Sequence, residues 1–402
     1  MFNIVYSNRT EGLAAALEQI VARPLPSALA PEVVVVPTQA VGRWLTYRLA
    51  DRTGICANTR FLYPGNFIWE IFRLVLGDRL PALAPFSAEV NAWRIHDALE
   101  DLPDGEAHAP LRSYLQGADA RQRHALALRI AETFDQYLIF RPDWVRAWEH
   151  GEEAHWQASL WRRLVAARKP LHWVHALDDF ESAAAAGVGQ SLPARVTLFA
   201  PPALSPSYLE VIAHLSGHTQ VNLLLLNPSR HYWGDIVTPR ARAAAGEAVA
   251  DERYLQIGHP LLASMGRPGR DFIDRVVEYE HIESERFESP DSGTILGALQ
   301  SDLLELTDRG EGASARPVIA AADRSIQVHA CFSAMREVEV LHDRLLAMFE
   351  EWPDLKSDQI LVVVTDLARY APYVSGVFGA VGDARRIPYD IIAGAAPSRD
   401  PQ

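Results

Sequence analysis

Lysine is nearly absent from this chain. Of its 38 basic residues only Lys169 and Lys356 are lysines. A phosphate-binding loop of the G-x-x-x-x-G-K-[ST] kind needs a lysine as a mobile point charge and glycines that let backbone N–H groups close around phosphate. Neither lysine meets that need: Lys169 runs into Pro170, and Lys356 precedes Ser357 but has Leu355 and Glu350 where the glycines must stand. Arginine's rigid fork does not substitute in that role. Cysteine is equally scarce. Cys56 and Cys331 are too few for a disulfide framework and read as reduced core thiols. Long apolar runs are missing as well: Val33 to Val36 and Leu223 to Leu226 fall far short of the roughly 18 residues that would span a bilayer. No signal peptide opens the chain, so a cytoplasmic, membrane-free location is expected.

The chain has 402 residues, 49% of them hydrophobic, enough for a full core and two or three domains. Its net charge of -13 argues against a generic nucleic-acid binder, whose affinity comes mostly from cations that displace counterions. Any DNA must therefore meet a local groove. Arginines do cluster, at Arg121, Arg123 and Arg129, at Arg162, Arg163 and Arg168, at Arg240 and Arg242, and at Arg267 and Arg270. Each cluster alone reads more readily as a solvated helix face.

The pattern along the chain is α/β. Phe2 to Tyr6 reads as a strand, Ser7 to Thr10 as a turn with Thr10 capping a helix through Leu13, Leu17 and Ile20. A second unit follows: strand Val33 to Val36, turn Pro37-Thr38-Gln39, and a helix bearing Val41, Trp44, Leu45 and Leu49. Two such units predict a parallel sheet covered by helices. From Asn66, read as a cap, the pattern turns helical as far as about Val188, with Leu126, Ile130, Phe134 and Leu138 forming one stripe. Strands return at Arg195 to Phe199 and Gln220 to Leu226, separated by a helix at Tyr208 to Leu215. Ala241 to Arg253, Ser284 to Gly293 and Asp308 to Arg316 look like loops. A new α/β pattern then starts with strands Ile326 to Ala330 and Ile360 to Val364 around a helix Met335 to Glu350. Too few elements follow to close a second sheet, which suggests a piece of a longer protein. The expected domains are a sheet core at 1–75 and 190–320, an inserted helical subdomain at 76–189, and the start of a second core at 321–402.

Catalytic chemistry finds little support. A P-loop motor needs a carboxylate where a neighbouring strand ends, and there the chain has Ala200-Pro201-Pro202. Asp354-Leu355-Lys356 is the one local echo of a metal-dependent nuclease, and a polar turn explains it better. His172 and His175, and likewise His214 and His218, lie at spacings that can suit a metal, but no third ligand stands close in sequence. They read as surface or core histidines, so no catalytic residue, metal or cofactor is expected.

A recognition surface is better supported. Pro37-Thr38-Gln39 ends a parallel strand, where open sheets place ligands, and Arg43 lies one turn on. Phe61, Tyr63, Phe67, Trp69 and Phe72 crowd a Pro64-Gly65 turn; most fit the core, leaving Tyr63 and Trp69 for exposure and base stacking. On the helix at Ala125 to Phe140, Glu132, Asp135 and Gln136 leave the apolar stripe, with Arg141 at its end. Carboxylates there suit base reading or an ordinary solvated face.

Several segments together carry a family resemblance: Val5-Tyr6-Ser7-Asn8-Arg9, Phe67-Ile68-Trp69-Glu70, Phe134-Asp135-Gln136-Tyr137-Leu138 with Arg141-Pro142-Asp143-Trp144, and Tyr232-Trp233-Gly234-Asp235-Ile236. Pro260-Leu261-Leu262-Ala263-Ser264 with Gly269-Arg270-Asp271, and Arg336-Glu337-Val338-Glu339-Val340-Leu341-His342-Asp343, extend it through the chain in order. The sequence resembles the gamma subunit of exodeoxyribonuclease V, RecC, over roughly the N-terminal third of that family's usual length. The resemblance implies an inactive superfamily 1 helicase-like fold, related to P-loop NTPases, without ATPase or nuclease activity of its own. It also implies RecB-like and RecD-like partners in a heterotrimer for double-strand-break repair, and scanning of the 3′ single-stranded DNA for Chi. Carried onto matching positions, the reading residues are Pro37, Gln39, Arg43, Tyr63, Trp69, Glu132, Thr133, Asp135, Gln136, Arg141 and His175. Trp69, Asp135, Gln136 and Arg141 keep the family pattern, whereas the others depart from it. The enterobacterial pattern has Gln, Thr and Gln at Pro37, Gln39 and Arg43. A docking scaffold without sequence reading is the alternative.

Overall fold

The computed structural model describes residues 1–391 except 28, 81–86, 167–171, 186–191, 248, 250–255, 292, 310–317, 380–381 and 383–384. The described chain divides into two compact units, Met1–Ser289 with Ser301–Ser314, and Pro290–Gln300 with Ala315–Gln402.

The first unit is built on a six-stranded parallel sheet. Its strands are β1 (Phe2–Ser7), β2 (Glu32–Val35), β3 (Thr59–Leu62), β4 (Arg195–Phe199), β5 (Gln220–Leu226) and β8 (Ile282–Glu285), in the spatial order β3-β2-β4-β5-β1-β8. A short two-stranded pair, β6 (Ile236–Val237) with β7 (Gln256–Ile257), stands apart. Alternation along the central strands sends side chains to two cores, as a period of two requires. Ile4, Tyr6, Val33, Val35, Val196, Leu198 and Leu223 face one core, while Val5, Val34, Phe199 and Leu224 face the other. The second core is closed by Leu13 and Leu17 of α1 (Thr10–Val21) and by Leu45 and Leu49 of α2 (Gln39–Thr53).

Opposite them lies the helical block: α3 (Pro64–Leu76), α4 (Ala88–Glu100), α5 (Ala109–Leu115), α6 (Ala120–Phe140), α7 (Pro142–Glu149), α8 (Trp156–Ala166) and α9 (Trp173–Ala185), followed after β4 by α10 (Pro206–Ser216). The longest, α6, starts with a capping box in which Asp119 and Gln122 satisfy each other's backbone N–H groups, and it buries Ile130, Phe134 and Leu138 as its stripe predicts. Trp148, Trp161, Phe72, Phe134 and Phe180 are fully buried here. The amino ends of β2 and β4 are joined by a buried ion pair, Arg195 Nε donating to Glu32 Oε1 at 2.9 Å.

Several local expectations are corrected. Thr10 is the first residue of α1 rather than its cap; Arg9 takes the cap position with no side-chain bond. Asn66 lies inside α3, which begins at Pro64 because proline needs no N–H partner in a first turn. The Pro64-Gly65 pair is thus a helix start and not a turn. β3 and β8 were not legible, and the strand β8 occupies part of the expected loop at Ser284 to Gly293. A helix, α11 (Pro239–Ala245), takes the start of the expected loop at Ala241 to Arg253, whose end lies outside the described residues. Most of the loop at Asp308 to Arg316 lies outside them too, as does Ala395 to Gln402. Cys56 and Cys331 are only partly buried rather than core thiols.

In the second unit, the helix Ala334–Glu351 is capped by Ser333 and packs Val338 and Leu345 against Phe378 of the helix Leu367–Gly379. The strands expected at Ile326 to Ala330 and Ile360 to Val364 do not form: no ladder partner runs beside them among the described residues, and Val328, Leu361 and Val363 are more than four-fifths exposed. A strand exists only through its ladder.

Candidate nucleic-acid interface

The register of β2 against β3 places the first group of predicted residues together. Val35 pairs with Leu62, and Val36 N–H donates to the Leu62 carbonyl at 2.9 Å. Pro37-Thr38 and Tyr63-Pro64 therefore leave neighbouring strands at the same carboxyl edge, where open parallel sheets bind ligands. Thr38 Oγ1 accepts from Val41 N–H and starts α2, leaving Gln39 and Arg43 exposed on its first turns. Tyr63 is exposed as expected. Trp69 is not. It is half-buried, edge-on to Phe72 and Trp173 at 5.9 and 5.6 Å, because the core stripe of α3 is wide enough to take it in.

A second group gathers where α3, α6 and α10 meet. Ser207 Oγ donates to the Ile139 carbonyl at 2.8 Å, docking α10 on the end of α6. The Tyr208 ring lies 5.3 Å from Trp173, and its hydroxyl would sit 3.2 Å from a Cβ on Gly65. Burial and then Asp135 push the Tyr208 pKa up to about 12. Asp135 itself is raised by burial and then by Glu89. Glu132 and Gln136 are exposed on α6, whereas Thr133 Oγ1 donates back to the Arg129 carbonyl. Arg141 donates from Nε and Nη2 to both oxygens of Asp143, with its guanidinium 3.6 Å from the Trp144 ring centroid. It offers a flat, pre-set cation just past the end of α6.

His175 belongs elsewhere. Its Nε2 lies 2.8 Å from Glu149 Oε2, and His172 Nε2 lies 2.7 Å from Glu149 Oε1. The absence of a third ligand near this histidine pair was a property of sequence distance only, since α7 brings Glu149 to both. An acid at the end of one helix facing a His-x-x-His at the start of another has no local sequence signature.

Most of the arginine clusters are held structurally. Arg123 pairs with Glu100, Arg163 donates to the Asp101 carbonyl, Arg162 to the Trp148 and Glu153 carbonyls, and Arg270 to the Ile236 carbonyl. Arg168 lies outside the described residues.

The connection from β1 to α1 is only two residues, Asn8 and Arg9. Asn8 Nδ2 donates to the Glu288 carbonyl at 2.8 Å and Asn8 Oδ1 accepts from Glu288 N–H at 2.9 Å, while Arg9 pairs with the Glu288 carboxylate at 3.3 Å. Where β4 ends, Ala200 holds φ +42 and gives its N–H to the Leu224 carbonyl. Neither strand end carries a lysine or a carboxylate in those positions.

Fold and site together define a parallel α/β protein with a large helical block on one face of its sheet and polar side chains gathered at its carboxyl edge. The family model described as "RecC, N-terminal domain" matches residues 2–306, and the chain belongs to that family. It is 35% identical to the RecBCD enzyme subunit RecC of Escherichia coli (strain K12) over 97% of this chain and 39% of that protein. It is 31% identical to the subunit of the same name from Haemophilus influenzae over 97% of this chain and 40% of the relative. For that of Mycolicibacterium smegmatis the identity is 32% over 94% and 34%. The chain thus spans well under half the length of these relatives. No helix among the described residues is long and apolar enough to cross a membrane.

Proposed function

We propose that this chain is the helicase-like, non-hydrolysing part of a RecC subunit, which holds RecB-like and RecD-like motor subunits and guides the 3′ single strand past its sheet edge. Its parts are a superfamily 1-like core at 1–75 and 190–320, a helical subdomain at 76–189, and the start of a second core from 321. The observation that carries this reading is the two-residue connection between β1 and α1, closed by Asn8 and Glu288. A phosphate cradle needs a longer glycine-rich loop with free N–H groups and a lysine. The chain keeps a motor's sheet without that loop.

In this reading Gln39, Arg43, Tyr63, Glu132 and Gln136 supply exposed groups for bases and backbone, with Arg141 held flat by Trp144. Pro37 has no side-chain donor for a base, so the sequence read differs from that of relatives with glutamine there. Chi scanning in this form predicts that the complete complex enriches a defined motif from random single strands, and that the motif changes when Gln39 and Arg43 are altered.

The second reading is a docking scaffold without sequence reading. Its support is specific: Trp69 is half-buried against Phe72 and Trp173, Thr133 bonds its own helix and His175 is held by Glu149. Selection that enriches no motif favours it.

A further inference from the structure

We propose that Glu149, His172 and His175 form a binding site for one divalent cation of the zinc class, with both imidazole Nε2 atoms and a carboxylate oxygen as ligands. The three ligand atoms lie within 4.8 Å of one another. The two imidazoles stack at 3.8 Å between centroids, which sets both Nε2 atoms against the same carboxylate, at 2.7 and 2.8 Å. Tetrahedral zinc with bonds of about 2.0–2.1 Å needs ligand atoms about 3.3 Å apart, a spacing between the short imidazole–carboxylate distances and the 4.8 Å within which all three ligand atoms lie. Two imidazoles and one carboxylate suit zinc-like ions rather than magnesium or calcium, which prefer all-oxygen shells.

Three further features fit an ion. The His172 side chain is fully buried, Glu149 is 19% exposed and His175 37%, so the cluster is closed behind and open at one side for entry and a fourth, water ligand. Trp161 Nε1 donates to Glu149 Oε1 at 2.9 Å and fixes the carboxylate from behind, the support that metal ligands usually receive. The surroundings are acidic: Asp178 and Asp179 act on His175 together with Glu149, and Arg146 donates to Asp178 at 3.0 Å. The ion ties the end of α7 to the start of α9, a role separate from strand guiding, so its failure leaves the proposed function untouched.

The test is cobalt titration of the metal-stripped full chain, followed by visible d–d absorption and then by zinc competition. One equivalent of cobalt giving a tetrahedral spectrum that zinc abolishes is expected, with binding weakened by about tenfold or more in His175→Asn and Glu149→Gln. Zinc should also raise the melting temperature of the wild type and not that of His175→Asn. The absence of a saturable spectrum in the wild type, which depends on no variant folding, overturns the proposal. So does undiminished binding in a folded His175→Asn protein.

Discussion

Asn8 and Glu288 bond each other twice, side-chain amide to backbone carbonyl and backbone N–H to side-chain oxygen, and so shut the turn after β1. In the proposed helicase-like reading, a nucleotide would need that turn open. Asn8→Ala removes both bonds and should cost about 1–2 kcal/mol, since net hydrogen bonds are worth about 1 kcal/mol each. Urea denaturation measures the loss. The variant should gain no ATP hydrolysis in a phosphate-release assay, because opening the turn restores neither lysine nor glycines.

The Glu32 and Arg195 pair predicts a different pattern. Both are buried, so Glu32→Ala leaves the guanidinium without a counter-charge and with only the Arg23 carbonyl to bond, and should cost about 3–5 kcal/mol, whereas Glu32→Leu with Arg195→Met should come close to neutral. Equal losses in the single and double variants would mean that an uncompensated charge is not the source of the cost at the amino ends of β2 and β4.

Trp69→Ala and Arg43→Ala should part company in stability. Trp69 packs on Phe72 and Trp173 and should lose about 2–3 kcal/mol, below the usual range for a fully buried aromatic. Arg43 is exposed, and its loss should stay within about 0.5 kcal/mol. Loss of DNA binding in Trp69→Ala therefore needs Trp69→Phe beside it before it is read as a lost stacking contact.

Asp135 should make stability depend on pH. Burial and Glu89 raise its folded-state pKa above the ordinary carboxylate value, so the folded protein holds the proton more tightly than the unfolded chain. Stability then falls as pH rises from the ordinary value through the raised one. Asp135→Asn should be the more stable protein at about pH 7, and the advantage should vanish below about pH 3.9. Urea midpoints across that range check the sign, and a less stable Asn variant at neutral pH would reverse it.

Legibility in the sequence followed the strength of the apolar pattern. β4 and β5 were readable to their end residues because both are buried runs bounded by turn signals. The stripe of α6 was equally plain. β8 was not: Ile-Glu-Ser-Glu is exposed throughout and joins the sheet through backbone bonds to β1, as charged edge strands do. The segments at 326–330 and 360–364 failed in the opposite sense, having a strand's composition with no ladder among the described residues. At the site, the sheet-edge position of Gln39 and Arg43 was legible from the βα pattern, whereas that of Tyr63 depends on β3, which the pattern did not reveal. The burial of Trp69 and the meeting of Glu149 with two histidines depend on helix packing, which no spacing encodes.

The most direct test of strand guiding is anisotropy of a fluorescent duplex with a 3′ single-stranded tail, bound by the complete complex at two salt concentrations. The account predicts salt-sensitive binding that weakens about threefold to tenfold in the Gln39→Ala, Arg43→Ala double variant, with a shallower salt dependence as a phosphate contact is lost. Affinity and salt slope unchanged by the double variant would contradict it.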